Sequence, residues 1–142
     1  MSSSASPAGG PIAAGVYVLD SSVFIRSLRG DLAMSARIAG ASQVYVPSIV
    51  LGELYYGAYG SPTRPDAAVA DVEAIEKAVA VLISDAMTAR IYARIKLDLK
   101  RRGLTMPDND LWIAAIAIQY NVTLAAHDAH FDWISGLRIE QW

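Results

Sequence analysis

The chain has 142 residues, with 14 acidic and 12 basic side chains and a formal net charge of −2. That length suits one domain with a substantial core, and the nearly balanced charge excludes a uniformly basic nucleic-acid binder. The absence of cysteine excludes disulfides, thiolate catalysis and cysteine-based zinc sites, and it fits a reducing cytoplasm.

Hydrophobic residues form 54% of the chain, and its mean hydropathy is +0.30. A domain of this size buries only about two-thirds of the surface that its unfolded chain exposes. We therefore expect apolar surface that a second chain covers, either a copy of this one or a different partner. The alternative is a core unusually rich in alanine.

Residues 1–15 are small and polar, rich in Gly, Pro and Ser, and they lack the basic and apolar regions of a signal peptide. We predict a flexible N-terminal tail over residues 1–15 and one folded domain over residues 16–142. No uninterrupted apolar run reaches the length of about 18 residues that a membrane span needs. We expect no membrane association.

Short apolar runs alternate with helix-like segments through the rest of the chain. The predicted strands cover residues 16–19, 44–46, 79–83, 122–125 and 137–139. The predicted helices cover residues 23–29, 31–39, 49–59, 66–79, 84–101 and 110–120, with Ser22 capping the first, Pro47 in the first turn of the third and Asn121 ending the last. This alternation predicts an α/β domain with a short central parallel sheet and helices on both faces.

Acidic residues stand where predicted strands end and the following helices begin. Asp20 follows the first strand, Glu53 lies in the helix after the second, Asp110 begins an apolar helix, and Asp128 follows the next strand. The carboxyl ends of parallel strands share one edge of a doubly wound sheet, so these acids can meet in one cleft. Each aspartate can instead be a helix N-cap or a charge that favours a helix dipole.

Other aspartates are assigned to helix ends. Asp31, Asp66 and Asp85 are predicted N-caps, and Asp108 is a predicted cap as well. Glu53 does not fit this explanation, because it interrupts an apolar helix with no lysine or arginine nearby. A partly buried carboxylate without a partner costs several kcal/mol, so Glu53 favours a site.

Carboxylates that face one another raise each other's pKa unless a cation lies among them. Oxygen ligands without cysteine or a convincing histidine pair indicate a hard cation, Mg²⁺ or Mn²⁺. Such an ion suits phosphoryl chemistry, since it polarises the phosphate and stabilises charge on the leaving oxygen.

Several sequence motifs occur in a fixed order. They are LDSSVFI at residues 19–25, GELYYGA at 52–58, PDNDLWIAA at 107–115, TLAAHDAHF at 123–131 and a closing GLRIE at 136–140. Each motif alone is weak, but together they resemble the PIN-domain ribonucleases, specifically the VapC-type toxins of prokaryotic toxin–antitoxin pairs. The resemblance covers about residues 16–142 and implies a single PIN-like domain.

The resemblance implies roles for five residues. Asp20 and Asp110 match the family's main metal ligands, and Asp128 matches a more variable acid that helps to position metal or water. Glu53 matches the remaining catalytic glutamate, and Ser22 stands where a side chain supports the first aspartate by a hydrogen bond. The implied activity is Mg²⁺- or Mn²⁺-dependent endonucleolytic hydrolysis of RNA in the prokaryotic cytoplasm, which would inhibit translation and growth.

The resemblance also implies protein partners, namely a cognate antitoxin that covers the cleft and a second toxin copy in a homodimer. RNA binding needs positive charge near the acids. Arg90, Arg94 and Arg101 fall on one stripe of a predicted helix, and Arg26 and Arg29 follow the first aspartate closely. The stripe can equally be an ordinary solvated helix face.

Two departures from the family pattern affect the predicted site. Ala126 stands where the family often has Thr or Ser, so hydroxyl support for Asp128 is in doubt. Asp108 adds an acid beside the expected ligand. His127 and His130 flank Asp128, but we interpret both as surface histidines and assign them no catalytic role.

Two other functions compete with the nuclease. One is a catalytically inactive PIN-like module that only binds RNA or protein, which the retained acids disfavour because carboxylates without metal repel phosphate. The other is a receiver-type phospho-acceptor domain, which also places acids at strand ends. The absence of a lysine after a late strand disfavours it.

Overall fold

The computed structural model describes residues 15–142, in which strands and helices alternate along the chain. The strands are β1 (Val16–Leu19), β2 (Gln43–Pro47), β3 (Ala80–Leu82), β4 (Thr123–Ala126) and β5 (Ile139–Gln141). The α-helices are α1 (Ser21–Leu28), α2 (Leu32–Gly40), α3 (Ser48–Tyr59), α4 (Pro65–Ala78), α5 (Ala86–Arg101) and α6 (Asp108–Tyr120), and a 3₁₀ helix, η1, covers Ala129–Trp133.

All strand pairings in the described sheet are parallel, and the spatial order is β3-β2-β1-β4-β5. The chain extends from β1 outwards to β3 and then returns to place β4 on the other side of β1. The crossovers therefore run to both sides of β1. When such crossovers are right-handed, those to one side put their helices on one face of the sheet and those to the other side put theirs on the opposite face. The predicted α/β fold is confirmed, and its topological switch point lies between the carboxyl ends of β1 and β4.

The core surrounds the two strands at this switch point. Val18 and Leu19 of β1 and Leu124 of β4 are fully buried, and Phe131 of η1 is fully buried as well. Helix α6 is apolar on nearly all sides, as predicted, and its buried residues are Leu111, Ile113, Ala114, Ala115, Ile116 and Ala117. Dense packing of this kind holds the ends of β1, β4 and α6 in fixed relative positions.

Several element boundaries differ from the sequence prediction. Pro47 ends β2 and precedes α3 instead of lying in its first turn. Strand β5 begins at Ile139, two residues later than the start of the predicted strand, because Ile139 pairs with Leu124 of β4. Pairing to a neighbour over a long sequence separation sets this register, and local sequence carries little information about it.

The predicted helix caps are partly confirmed. Asp31 accepts a hydrogen bond from the backbone N–H of Met34, and Asp85 accepts two at the start of α5. Asp66 is not an N-cap, since α4 begins at Pro65, a residue preset for the first helical turn. Ser22 is not a cap either, because α1 already begins one residue before it.

The N-terminal tail prediction falls outside the described residues, except at Gly15. The Gly15 carbonyl accepts hydrogen bonds from the backbone of Ser42 and Gln43, so this residue belongs to the fold. Its φ is +76°, and a Cβ there would lie 2.8 Å from Ser42 Oγ, which explains the glycine. Asn121 is left-handed at φ 54°, as predicted for the end of α6. Among residues 15–142, no helix has the length and apolar character to cross a bilayer.

Candidate active site

Asp20 lies directly after β1, and its backbone N–H donates to the Ala125 carbonyl at 3.0 Å, which joins the ends of β1 and β4. Its side chain is only 6% exposed and makes no capping hydrogen bond to α1. Ser22 Oγ donates to Asp20 Oδ2 at 3.0 Å, whereas Oδ1 is buried without a hydrogen-bond partner. The hydrogen bond predicted from Ser22 is therefore present.

The pKa of Asp20 reflects this enclosed position. Burial raises the pKa above its usual value, and the negative charge of Asp128 raises it further. The Ser22 hydroxyl and the nearby backbone N–H groups of Ser21 and Ser22 lower it, although neither N–H makes a hydrogen bond of capping geometry. The net effect is a raised pKa for Asp20, and no positively charged side chain is among the groups that act on it.

Asp110 lies in the first turn of α6 and is partly buried. Burial raises the pKa of Asp110 to about 6, with further contributions from the negative charges of Asp20, Glu53 and Asp128. His130 acts in the opposite direction and lowers this pKa. The predicted site acids therefore lie close enough to Asp110 to perturb its ionisation.

Glu53 projects from α3, and its position depends on a residue that the sequence analysis did not single out. Asn109 Nδ2 donates to Glu53 Oε2 at 3.3 Å, and Glu53 Oε1 is buried without a hydrogen-bond partner. Asn109 immediately precedes Asp110 and so links α6 to α3. Its place inside the PDNDLWIAA motif was the available signal.

Asp128 follows β4 and also caps a helix. Its Oδ1 accepts a hydrogen bond from the backbone N–H of His130 at 2.8 Å, and the His130 Nδ1 lies 3.1 Å from the same oxygen. The capping alternative is therefore correct for Asp128, and its charge still acts on both Asp20 and Asp110. His130 is exposed, as predicted, and its ring also contacts Asp128 and lowers the pKa of Asp110.

Asp108 is neither a cap nor part of the acidic cluster. The N-cap of α6 is Pro107, and Asp108 Oδ1 accepts hydrogen bonds from Tyr92 at 2.9 Å and Lys96 at 3.0 Å on α5. These contacts, Lys96 first, lower the pKa of Asp108, opposite to the direction at Asp110. The predicted capping role is wrong because this side chain points towards the basic face of α5.

Some of the basic residues of α1 and of the α5 end are already held in ion pairs with acidic side chains. Arg26 forms an ion pair with Asp31 at 2.8 Å, and Arg102 forms one with Asp98 at the same distance. Arg90 and Arg94 are exposed on α5. RNA contact by this stripe stays a prediction.

The donor set fits a divalent cation. Asp20 Oδ1 and Glu53 Oε1 are buried acceptors without partners, which are costly unless a cation or a water is present. With the side chains in their present positions, no group of three His, Asp or Glu residues in the described part of the chain is arranged to hold a metal ion. Mg²⁺ commonly uses one or two carboxylates and keeps several waters, so two of these acids are enough.

Comparison with known proteins agrees with this arrangement. The family model described as PIN domain matches residues 17–137. A protein named Ribonuclease VapC2 from Haemophilus influenzae is 30% identical over 129 residues, which is 89% of this chain and 97% of the relative.

Two solved structures share the fold. VapBC-1 from nontypeable Haemophilus influenzae has a TM-score of 0.80 at 26% identity, covering 89% of this chain and 98% of that one. VapBC-5 from Mycobacterium tuberculosis, described as a member of the VapBC family of toxin–antitoxin systems, has a TM-score of 0.71 at 28% identity, covering 89% and 97%. With the family match spanning most of the described residues, the chain belongs to the PIN-domain family.

Proposed function

We propose that this protein is a divalent-metal-dependent endoribonuclease that acts as the toxin of a VapBC-type toxin–antitoxin pair. The observation that carries the proposal is the coupling of Asp110 to Asp20, Glu53 and Asp128 at the switch point of the sheet. The names of the relatives, a ribonuclease and a member of a toxin–antitoxin family, support the same assignment.

Asp20 and Asp110 would hold the cation, with Asp128 completing the negative site. Burial first, and then the negative charge of neighbouring acids, raises the pKa of Asp20 and of Asp110, and a bound positive ion would offset both effects. Mg²⁺ or Mn²⁺ suits these oxygen ligands. When bound, it would polarise the scissile phosphate and stabilise charge on the leaving oxygen.

Glu53 would orient the attacking water. Its Oε1 is an available acceptor, and Asn109 fixes the other oxygen of the same carboxylate. In hydrolysis the water oxygen forms a bond to phosphorus, its proton passes to an acceptor, and the bond to the leaving sugar oxygen breaks. Glu53 would receive a hydrogen bond from that water through its unpartnered Oε1.

The partner proposals rest on exposed apolar surface. A cavity of about 340 Å³ between α1, α3 and α4 includes Glu53 in its wall, so a protein antitoxin seated there would cover the acidic site. Tyr56 is 83% exposed and Ile83 69% exposed, which leaves apolar area for a second copy of the chain. We propose a cytoplasmic location in a prokaryotic cell, where the RNA molecules that take part in translation are found.

The central test is RNA cleavage by purified protein. Total bacterial RNA is incubated with the protein in Mg²⁺ or Mn²⁺, and fragments are resolved by size. Asp20→Asn and Asp110→Asn should each lower the cleavage rate by about 100-fold or more. Each removes a proposed ligand of an ion that would stabilise the transition state by several kcal/mol.

Asp108→Asn is the matched control, because it neutralises an aspartate of the same helix turn outside the acidic cluster. Induced expression should arrest bacterial growth for the parent and the control but not for Asp20→Asn. If Asp20→Asn cuts RNA as fast as the parent, the catalytic assignment is wrong, and a binding module is the better description.

A further inference from the structure

The segment at residues 139–142 runs beside the connection that carries Asp128. Strand β5 pairs with β4 in register, with Gln141 opposite Ala126, and the Trp142 N–H continues the ladder by donating to the Ala126 carbonyl at 3.0 Å. The chain leaves β4 at this point and reaches η1 through His127 and Asp128. This segment is thus the direct neighbour of a proposed site acid.

In each of the two segments, a side chain makes a hydrogen-bond contact with a backbone oxygen of the other segment. Gln141 Nε2 donates to the His127 carbonyl at 3.0 Å, and His127 Nδ1 lies 3.2 Å from the Trp142 backbone oxygen. Arg26 of α1 reaches the same Trp142 oxygen at 3.5 Å. These contacts join α1, the connection after β4 and residues 141–142 in one network.

The Trp142 ring anchors this network to the strand that leads to Asp20. The ring is 8% exposed and meets Tyr17 of β1 edge-on, with ring centroids 4.9 Å apart. Trp142 Nε1 donates to Glu140 Oε2 at 2.6 Å, and the Tyr17 hydroxyl donates to the other oxygen of Glu140 at 3.2 Å. The end of the described chain is therefore fixed on β1.

We infer that Gln141 and Trp142 are positioning residues that hold the Asp128 connection at a set distance from Asp20. Neither residue acts on the acids directly. Gln141 acts through the His127 backbone, and Trp142 acts through the Ala126 carbonyl, the His127 ring and its packing on Tyr17 of β1. The Asp128 carboxylate is held locally by the backbone N–H of His130 in η1, so the placement of the whole connection sets its distance from Asp20. The inference rests on the proposed function, since its consequence is metal binding at the acidic site.

The test replaces Gln141 by leucine, which keeps the side-chain size and removes the amide. Gln43→Leu is the matched control, because Gln43 is also exposed and donates from Nε2 to a backbone carbonyl, that of Val44, at 3.1 Å at the opposite end of the sheet. Two readouts are used, namely amide hydrogen exchange of the metal-free protein and thermal stabilisation by added Mn²⁺.

In Gln141→Leu, amide exchange over residues 127–131 should rise by about tenfold while exchange in β4 is unchanged. The Mn²⁺ concentration at half-maximal stabilisation should also rise by about tenfold, the usual effect of losing support behind a ligand. Gln43→Leu should show neither change. RNA cleavage should fall in Gln141→Leu and recover at high Mn²⁺.

The outcomes separate the two proposals. If exchange over residues 127–131 and the Mn²⁺ midpoint both stay at parental values, the positioning role is overturned while the nuclease remains. If exchange rises but Mn²⁺ stabilises neither the variant nor the parent, the metal site is overturned, and with it the purpose of the network. An equal change in Gln43→Leu would make the effect a general loss of sheet stability and would also overturn the inference.

Discussion

Ser22 Oγ donates a 3.0 Å hydrogen bond to one oxygen of Asp20, and the other oxygen of that carboxylate is buried with no hydrogen-bond partner. One oxygen is thereby fixed by the first turn of α1, and the other keeps its full capacity to accept. A carboxylate arranged in this way is oriented before any ligand arrives, which lowers the ordering cost of binding.

Ser22→Ala should weaken the site without unfolding the protein. The hydroxyl lowers the pKa of Asp20, so its loss favours the protonated acid and frees the carboxylate to rotate. We expect about tenfold weaker Mn²⁺ binding and a similar loss of cleavage. Ser22→Thr retains the hydroxyl and should behave like the parent, and a silent Ser22→Ala would contradict the supporting role.

The contribution of Asp110 to the stability of the metal-free protein should fall as pH rises from about 4 to 6. The folded-state pKa of Asp110 is raised to about 6, so the folded protein retains a proton there that the unfolded chain has already lost. The stabilisation is fully present below the unfolded pKa and is lost as pH passes the folded value. Because Asp110 is only partly buried, its contribution is discounted to about 1–2 kcal/mol.

Urea unfolding of parent and Asp110→Asn at pH 4, 5, 6 and 7 isolates this contribution. Asp31, Asp85 and Asp108 have lowered pKa values and contribute with the opposite sign in both proteins. Their effect cancels in the difference. The parent should lose stability relative to Asp110→Asn as pH rises, and a constant difference would show that Asp110 is not perturbed.

Divalent cations should stabilise the folded protein at neutral pH. An ion that binds only the folded state at one hundred times its Kd adds about 2.7 kcal/mol. Mn²⁺ should raise the Tm of the parent, and Asp20→Asn should abolish most of the shift because the neutral amide lacks the negative charge and one of the two acceptor oxygens of this buried carboxylate. Equal shifts in both proteins would indicate Mn²⁺ binding elsewhere on the surface.

Asp85 and Asp108 should behave differently from the site acids. Asp85→Ala removes the N-cap of α5, which accepts from Met87 and Thr88, and should lower the urea midpoint of unfolding clearly. Asp108→Ala breaks an exposed ion pair with Lys96 and should lower the urea midpoint of unfolding less than Asp85→Ala does. Both variants should retain RNA cleavage per folded molecule, and a large loss in Asp108→Ala would place it in the site.

The sequence by itself determined the fold class and the approximate position of the acids. Apolar runs separated by helical segments force a parallel sheet, and Asp20 and Asp128 then stand at the ends of β1 and β4 because each directly follows such a run. The burial of α6 also followed from its composition, since an α-helix that is apolar all round must be covered.

The resemblance indicated Asp110 as the ligand, and only the tertiary structure decided that its neighbour Asp108 lies outside the cluster without capping the helix. Asp108 and Asp110 are two residues apart and point about 200° apart around α6, and rotation of that helix is fixed by packing that local sequence does not encode. The same holds for two other contacts. Asn109 donates to Glu53, which lies 56 positions away in the sequence, and Gln141 donates to His127, which lies 14 positions away. Long-range packing sets these distances, because hydrogen bonds between distant segments form only after the sheet has placed them side by side.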